Sequence, residues 1–151
     1  MPEKISQETR SRMMAGIKGK DTKPELMVRS HLHRRGFRFR LHHSVLQGRP
    51  DVVLPRWGVA IFVHGCFWHG HSGCRYFRIP KTRTLFWEDK IKANVCRDRS
   101  AQEALAAAGW RVAVIWECSL RDDAEKALEQ LTGFIRSESS LIEIGLARPP
   151  T

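Results

Sequence analysis

Residues 51–65 read DVVLPRWGVAIFVHG and contain two short apolar runs rich in β-branched side chains, separated by Pro-Arg-Trp-Gly. Runs of this length, bounded by proline and glycine, are typical of strands that are buried on both faces. A third run, RVAVIWEC, occupies residues 111–118. The sequence therefore predicts a sheet whose central strands are covered by other elements on both sides.

Helical patterns lie before, between and after these strands. Residues 21–36 (DTKPELMVRSHLHRRG), residues 84–108 and residues 122–135 each have apolar positions at roughly helical spacing. Residues 37–43 (FRFRLHH) alternate apolar and basic side chains, which indicates a strand with one face inward. The order helix, three strands, helix, strand, helix predicts an α/β fold with a mixed sheet flanked by helices.

A chain of 151 residues is long enough for one domain with its own core. We expect that domain to span residues 21–136, preceded by a basic segment at residues 1–20 and followed by a loosely attached tail at residues 137–151. The first residues contain no uninterrupted apolar stretch, so neither a signal peptide nor a membrane span is predicted. A cytoplasmic location is therefore expected.

The charge of the chain is strongly positive. Lysine and arginine number 26 against 16 acidic residues, which gives a net charge of +10. Such an excess favours a polyanionic partner such as nucleic acid, although a basic surface that only keeps the protein soluble is the alternative. No glycine-rich phosphate-binding loop follows any predicted strand, which argues against a nucleotide-dependent enzyme.

Residues 64–74, HGCFWHGHSGC, are dense in metal-ligand side chains. Cys66, His71 and Cys74 are close enough in sequence to wrap one zinc ion, which needs four tetrahedral nitrogen or sulfur ligands in a structural site. Cys118, just after a predicted strand, is a better fourth ligand than Cys96, which falls inside a predicted helix. The alternative for Cys118 is a small buried apolar residue.

Acidic and imidazole side chains close to the predicted strands are candidates for phosphodiester chemistry. Asp51 at the start of a strand could hold a magnesium ion beside a phosphate, and His64 or His69 could accept a proton from water. An ordinary turn aspartate and surface histidines are the alternatives. Glu25 forms a capping box with Thr22, and this local pattern favours a structural role for its side chain.

Five segments together resemble, in order and spacing, the very-short-patch repair (Vsr) family of DNA mismatch endonucleases. They are TRSRMMAGIKGKDTKPE, GRPDVVL, VAIFVHGCFWHGHSGC, TRTLFWEDKIKANVCRDR and GWRVAVIWECSLR, and they extend from about Thr9 to Arg121. The resemblance implies a restriction-endonuclease-like fold with structural zinc. It also implies a monomeric, magnesium-dependent enzyme that nicks double-stranded DNA 5′ of the thymine in a T·G mismatch, the product of 5-methylcytosine deamination. Mismatch-repair proteins are then candidate partners.

The resemblance assigns roles to the acidic and imidazole residues. Asp51 looks like the magnesium-binding carboxylate, with the backbone carbonyl of Val63 as the other protein ligand. His69 looks like the general base, and His64 and Glu25 look like supporting active-site residues. For Glu25 this implication replaces the purely structural role that the local pattern favours.

The resemblance also assigns zinc ligands and DNA contacts. Cys66, His71, Cys74 and Cys118 match the family's zinc ligands, in agreement with the spacing argument, although the HGHSGC stretch holds one residue more than the family pattern. The residues that look like DNA contacts are an aromatic wedge (Phe67, Trp68, Trp87), two residues inserted from the opposite groove (Met14, Ile17) and two contacts to the mismatched pair (Lys90, Asn94). The alternative for the aromatic rings is that they fill the core.

Two other functions fit the same residues. One is a zinc-stabilised DNA-binding module without catalytic activity, and the other is a zinc-containing nuclease of looser specificity. Comparison of T·G and T·A duplexes in a nicking assay distinguishes all three.

Overall fold

The structure, a computed structural model, describes residues 22–41, 46 and 48–145. In chain order the elements are α1 (Lys23–Arg34), β1 (Arg40–Leu41), β2 (Val52–Leu54), β3 (Val59–His64), α2 (Thr84–Ala107), β4 (Arg111–Trp116), α3 (Glu117–Asp122), α4 (Ala124–Arg136) and β5 (Leu141–Ile144).

The strands form one mixed sheet in the order β1-β2-β3-β4-β5. The pairs β1–β2 and β2–β3 are antiparallel, whereas β3–β4 and β4–β5 are parallel. Helix α2 connects β3 to β4, and α3 and α4 connect β4 to β5. The α/β architecture predicted from the sequence is confirmed, and it is consistent with a restriction-endonuclease-like fold.

The central strand β3 is buried along its whole length, as its composition predicts. Val59, Ile61 and Val63 belong to one core cluster, which also contains apolar residues of α1 and α4. Ala60 and Phe62 point to the other face, where the cluster includes residues of α2. Because successive side chains of a strand alternate between faces, an unbroken apolar run is what helices on both faces require.

The predicted strand at residues 37–43 begins later in the structure, at Arg40. Among the described residues of this stretch, Arg40 and Leu41 pair with β2, and residues 42–45 lie outside the described part of the chain. Phe37 instead packs into the core at the end of α1. The apolar alternation therefore reflects one buried anchor and a brief edge strand.

The expectation of a loosely attached tail is wrong for residues 141–144, which form the parallel edge strand β5. Ile144 of this strand is buried. The connection from α4 is held by Arg111, whose guanidinium donates to the carbonyls of Phe134 and Ser137, each at 2.6 Å. One arginine at the start of β4 thus fixes the path of the chain into β5.

Two helices differ in how well the sequence predicts them. Helix α2 begins at Thr84 as predicted and ends at Ala107, one residue earlier than predicted. The short helix α3 was not predicted, and it carries Cys118 directly after β4. Among the described residues no helix combines the length and the apolar character needed to cross a membrane.

His31 is a buried histidine between two helices. It lies in α1, where its Nε2 is 2.8 Å from the Thr132 hydroxyl of α4. Burial lowers the pKa of His31 below its usual value, the nearby cations of Arg35 and Arg34 lower it further, and Glu129 opposes them. The folded protein therefore favours the neutral imidazole.

Replacing His31 should weaken the dependence of stability on pH. Because the folded pKa is depressed, the unfolded chain takes up the proton first as pH falls below about 6.5, and folding stability then decreases. One proton changes the free energy of unfolding by at most about 1.4 kcal/mol per pH unit. In His31→Gln, urea midpoints measured at about pH 7.5 and 5.5 should differ less than in the parent protein. His33→Gln, an exposed change on the same helix, should retain the parent's difference, and an equal difference in His31→Gln would contradict the argument.

Candidate active site and metal cluster

Asp51 lies immediately before β2 and joins it to the end of β3. Its Oδ2 accepts a hydrogen bond of 2.7 Å from the Val63 backbone N–H. In the antiparallel register Val52 pairs with Ile61, so Val63 extends two residues beyond the last pair of the ladder. The Asp51 carboxylate therefore accepts the hydrogen bond that a backbone carbonyl of β2 would accept if the ladder continued. Because the N–H and C=O of one strand residue face the same neighbour, the Val63 carbonyl is directed to the same side.

Glu25 approaches Asp51 from the first turn of α1. It is only 4% exposed, and its Oε2 accepts a 3.1 Å hydrogen bond from Arg29. The Glu25 carboxyl also lies within hydrogen-bonding reach of Asp51. The backbone N–H of Glu25 donates to the Thr22 hydroxyl at 3.4 Å, so the predicted helix cap is present as well. The residue thus combines a backbone role at the cap with a side chain in the site.

The electrostatics of this carboxyl pair suit a divalent cation. Burial raises the pKa of Asp51 to about 7, the neighbouring Glu25 adds to the rise, and the hydrogen bond from Val63 opposes it. A group of closely spaced oxygen donors is what a hard cation such as magnesium binds. Asp51, Glu25 and the Val63 carbonyl are therefore the residues that could hold such an ion.

His64 and His69 form a stacked pair beside the carboxylates. Their ring centroids are 3.8 Å apart and the planes differ by 4°. His64 is 3% exposed, and burial holds its pKa well below the usual value. Within the described part of the chain, the Nδ1 atom of His64 has no hydrogen-bond partner.

Asp98 of α2 is a site residue that the sequence analysis missed. Its Oδ2 lies 2.6 Å from the Nδ1 atom of His69. A carboxylate at this distance favours the tautomer with the proton on Nδ1, which leaves Nε2 as an acceptor. The ligand atoms of His64, His69 and Asp98 also lie within 4.8 Å of one another, so the three could hold a metal ion themselves.

A second cluster contains the four residues expected to bind zinc. The ligand atoms of Cys66, His71, Cys74 and Cys118 all lie within 4.8 Å of one another, and all four residues are buried. Cys96 is exposed on α2, as the choice of Cys118 requires. Three sulfur atoms and one imidazole match the donor set of structural zinc sites. The extra residue in HGHSGC does not prevent the four side chains from meeting.

The cluster is backed by β4 and β5. The His71 ring stacks on Trp116 with centroids 3.9 Å apart, and the Trp116 indole N–H donates to Glu143 of β5 at 2.7 Å. Directly after β5, a Cβ atom on Gly145 would lie 2.9 Å from both rings. The backbone of the last described residue therefore packs directly against a candidate metal ligand.

An aromatic cluster lies next to the two groups of candidate metal ligands. Phe67, Trp68 and Trp87 are half-buried, with ring centroids 5.0 to 5.8 Å apart. Phe86 extends the cluster outward at 44% exposure, and Leu85 beside it is 76% exposed. Phe67, Trp68 and Trp87 therefore form a ridge at the surface, the aromatic ridge, and do not fill the core.

Of the four remaining residues predicted to contact DNA, two lie in the described part of the chain and two do not. Lys90 is half-buried on α2, in the turn before Asn94. The Asn94 side chain donates to the Trp68 carbonyl at 2.8 Å and accepts from Arg97. In this structure Asn94 thus supports the loop of the aromatic cluster. Met14 and Ile17 lie outside the described residues.

Comparison with known proteins identifies the family of the chain. The family model "DNA mismatch endonuclease Vsr" matches residues 3–75. A type II nicking enzyme of Xanthomonas oryzae pv. oryzae, V.XorIIP, is 52% identical over 122 residues, which are 81% of this chain and 89% of that protein. DNA mismatch endonuclease Vsr of Escherichia coli is 45% identical over 124 residues, 82% of this chain and 79% of that protein. A Neisseria meningitidis nicking enzyme, V.NmeAIP, is 44% identical over 115 residues, 76% of this chain and 81% of that protein.

The mixed sheet, the cluster of carboxylates and histidines and these relatives define a nuclease, a hydrolase that acts on DNA. The chain belongs to the Vsr family of DNA mismatch endonucleases.

Gly70 sets how closely the loop that carries the candidate metal ligands approaches α2. Its φ is +60°, and a Cβ atom there would lie 2.6 Å from Ile91 and 2.9 Å from Val95. We expect Gly70→Ala to lower the free energy of unfolding by about 2–4 kcal/mol, through backbone strain and overpacking together.

Gly36→Ala is the matched control for that prediction, because Gly36 also has a positive φ (+82°) but nothing lies within 4 Å of its added Cβ. It should cost only the backbone strain, about 1–2 kcal/mol. Urea unfolding measures both values. Equal losses in the two variants would show that the contact with α2 is not tight.

Proposed function

We propose that this protein is a strand-specific mismatch endonuclease that nicks the phosphodiester 5′ of the thymine in a T·G pair produced by 5-methylcytosine deamination. The nick would begin very-short-patch repair. The observation that carries the proposal is the convergence of Asp51, Glu25, His64 and His69 at one end of the sheet, beside the aromatic ridge. The Escherichia coli relative is a DNA mismatch endonuclease, which supports a mismatch as the substrate.

In the proposed mechanism the carboxylate end of the site positions the phosphate. Asp51 and the Val63 carbonyl are the residues that would hold magnesium, with Glu25 able to orient water next to them. Bound there, magnesium would polarise a phosphoryl oxygen and lower the pKa of a coordinated water. The Val63 N–H keeps Asp51 in one orientation, so the ligand oxygens are arranged before substrate arrives.

At the imidazole end of the site, His69 would accept the proton of the attacking water. Asp98 accepts from Nδ1 of His69, so Nε2 is free to take the proton of the attacking water as the water oxygen bonds to phosphorus. The ester bond from phosphorus to the leaving sugar oxygen breaks in the same displacement, and that oxygen takes a proton from water. The resulting imidazolium is stabilised by the Asp98 carboxylate. The His64 ring stacks on the His69 ring and would keep it in one plane.

The aromatic ridge would open the DNA at the mismatch. Phe67, Trp68 and Trp87 present apolar rings of the size needed to enter a base step. Unstacking a step costs a few kcal/mol, and contact between these rings and the exposed bases offsets part of that cost. A mispaired step resists unstacking less than a paired one, which favours insertion at a mismatch.

Zinc would hold the ridge in register with the active site. Phe67, Trp68 and His69 all lie between the candidate ligands Cys66 and His71. Fixing both ends of that short segment restricts the wedge and the general base together. We also propose that one chain is sufficient, because every residue invoked in the chemistry comes from a single copy.

A nicking assay tests the catalytic assignment. With magnesium, the protein should nick a T·G duplex in one strand and leave the matched T·A duplex intact. Asp51→Asn should lower the nicking rate at least about 1,000-fold, because loss of metal-assisted charge stabilisation removes several kcal/mol from the barrier reduction. Glu125→Gln, an exposed change on α4, should leave the rate within about twofold.

The outcome separates the alternatives. Binding of both duplexes with no nicking would identify a DNA-binding module without catalytic activity. Equal cutting of T·G and T·A duplexes would identify a nuclease of looser specificity. Full activity in Asp51→Asn would overturn the role given to its carboxylate.

Metal analysis tests the zinc assignment. The purified protein should contain one zinc ion per chain, and Cys118→Ser should lose it and unfold at a lower temperature, because binding energy at a structural site contributes to folding. Cys96→Ser, which changes an exposed thiol outside the cluster, should keep the metal. Absence of zinc from the parent protein after refolding with excess zinc would contradict the assignment.

A further inference from the structure

A groove of about 440 Å³ lies apart from the proposed active site and the candidate metal cluster. Five arginines and one tryptophan contribute to its lining, and we refer to it as the basic groove: Arg35, Arg38, Arg40, Arg56, Arg136 and Trp57. The groove contains no residue of the proposed active site, the metal cluster or the aromatic ridge.

The basic groove lies at the opposite end of the sheet from Asp51. Asp51 is next to Val52, where β2 begins, whereas Arg56 and Trp57 lie in the turn that follows β2 and leads to Val59. Five residue steps separate Val59 from His64 along β3, a distance of about 17 Å. Arg56 and Trp57 therefore lie on a surface separate from the proposed active site.

The positive charge of the groove is largely uncompensated. Arg35 pairs with Glu129, and the Arg136 guanidinium lies 5.4 Å from the centre of the Phe37 ring. Arg38, Arg40 and Arg56 are exposed, and their side chains make no ion pair or hydrogen bond with another described residue. Several arginines held together without acids repel one another, and an anion in the groove relieves this repulsion.

Trp57 gives the groove an aromatic surface. It is 39% exposed, although it is a large apolar side chain that could otherwise have been buried. Phe37 meets it at a centroid distance of 5.6 Å and an interplanar angle of 67°, which restrains the indole on one side. A restrained, partly exposed indole among arginines is suited to stacking against a planar group attached to an anion.

We infer that the basic groove binds single-stranded nucleic acid, with the arginines contacting phosphates and Trp57 stacking on a base. Duplex DNA keeps its base faces covered and would not use the indole, whereas a single strand offers phosphates and open bases together. An acidic peptide would satisfy the arginines but leave the aromatic surface without a matching group. Membership of a DNA endonuclease family also favours a nucleic acid as the anion.

The inference does not depend on the proposed nicking reaction, because Asp51→Asn should retain the groove. The probe is a fluorescein-labelled oligo(dT) of roughly 12 nucleotides, within the range of known single-strand site sizes. Fluorescence anisotropy measures its affinity for the full chain, and nicking of a blunt T·G duplex reports whether the other end of the protein is intact.

Arg56→Glu should lower the affinity for oligo(dT) at least about tenfold and reduce the dependence of affinity on salt. Lys126→Glu is the matched control, because it makes the same charge change at an exposed position about 15 Å along α4 from Arg136. That control should weaken binding by less than about threefold, through long-range electrostatics alone. Both variants should nick the T·G duplex at the same rate as the parent protein.

Trp57→Leu should lower the affinity about tenfold, whereas Trp57→Phe should retain most of it, because a smaller ring still stacks. Circular dichroism confirms that each variant is folded. Equal binding by Arg56→Glu and Lys126→Glu, or by Trp57→Leu and the parent, would overturn the inference. It would also be overturned if poly-glutamate, and not oligo(dT), lost affinity in Arg56→Glu, since the groove would then be a site for acidic protein segments.

Discussion

The hydrogen bond from the Val63 N–H to the Asp51 carboxylate is the contact on which the arrangement of the site depends. It joins the start of one strand to the end of its neighbour where the backbone ladder has stopped, so a side chain replaces a main-chain acceptor. The following residues lead directly into the loop with His69, Cys66 and the aromatic rings. A displacement at this junction would therefore separate the carboxylates from the imidazoles, although each group would keep its own local partners.

Local composition predicts the strands that have apolar surroundings on both faces. Strands β3 and β4 are buried on both faces, and their unbroken apolar runs identify them without any knowledge of their partners. Strand β5 has only four residues, of which one is buried, so its sequence carries little signal of its own. It becomes a strand because β4 offers it a free edge and Arg111 fixes the preceding turn. The free edge of β4 and the hydrogen bonds of Arg111 are tertiary features, and a local sequence pattern does not contain them.

In the candidate site, too, some residues are predicted by local spacing and others are not. Cys66, His71 and Cys74 lie within nine residues, so their spacing alone suggests a common ligand, and the structure brings Cys118 to them. The partnership of His69 with Asp98 spans 29 residues and cannot be deduced from spacing. A signal was nevertheless present, because Asp98 lies one helical turn after Asn94, whose side chain also faces this loop. Polar residues four apart on one helix face could have indicated a common contact.

The contact between Gly145 and the His71 ring also bears on how the molecule is made. Cys66, His71 and Cys74 are synthesised before Cys118, and the strand that covers the imidazole is synthesised after all four. Before that strand has been synthesised, a nascent chain therefore has an incomplete sheet and lacks the backbone that packs against the His71 ring. All four candidate ligands are thus present in the nascent chain before the strand that covers His71.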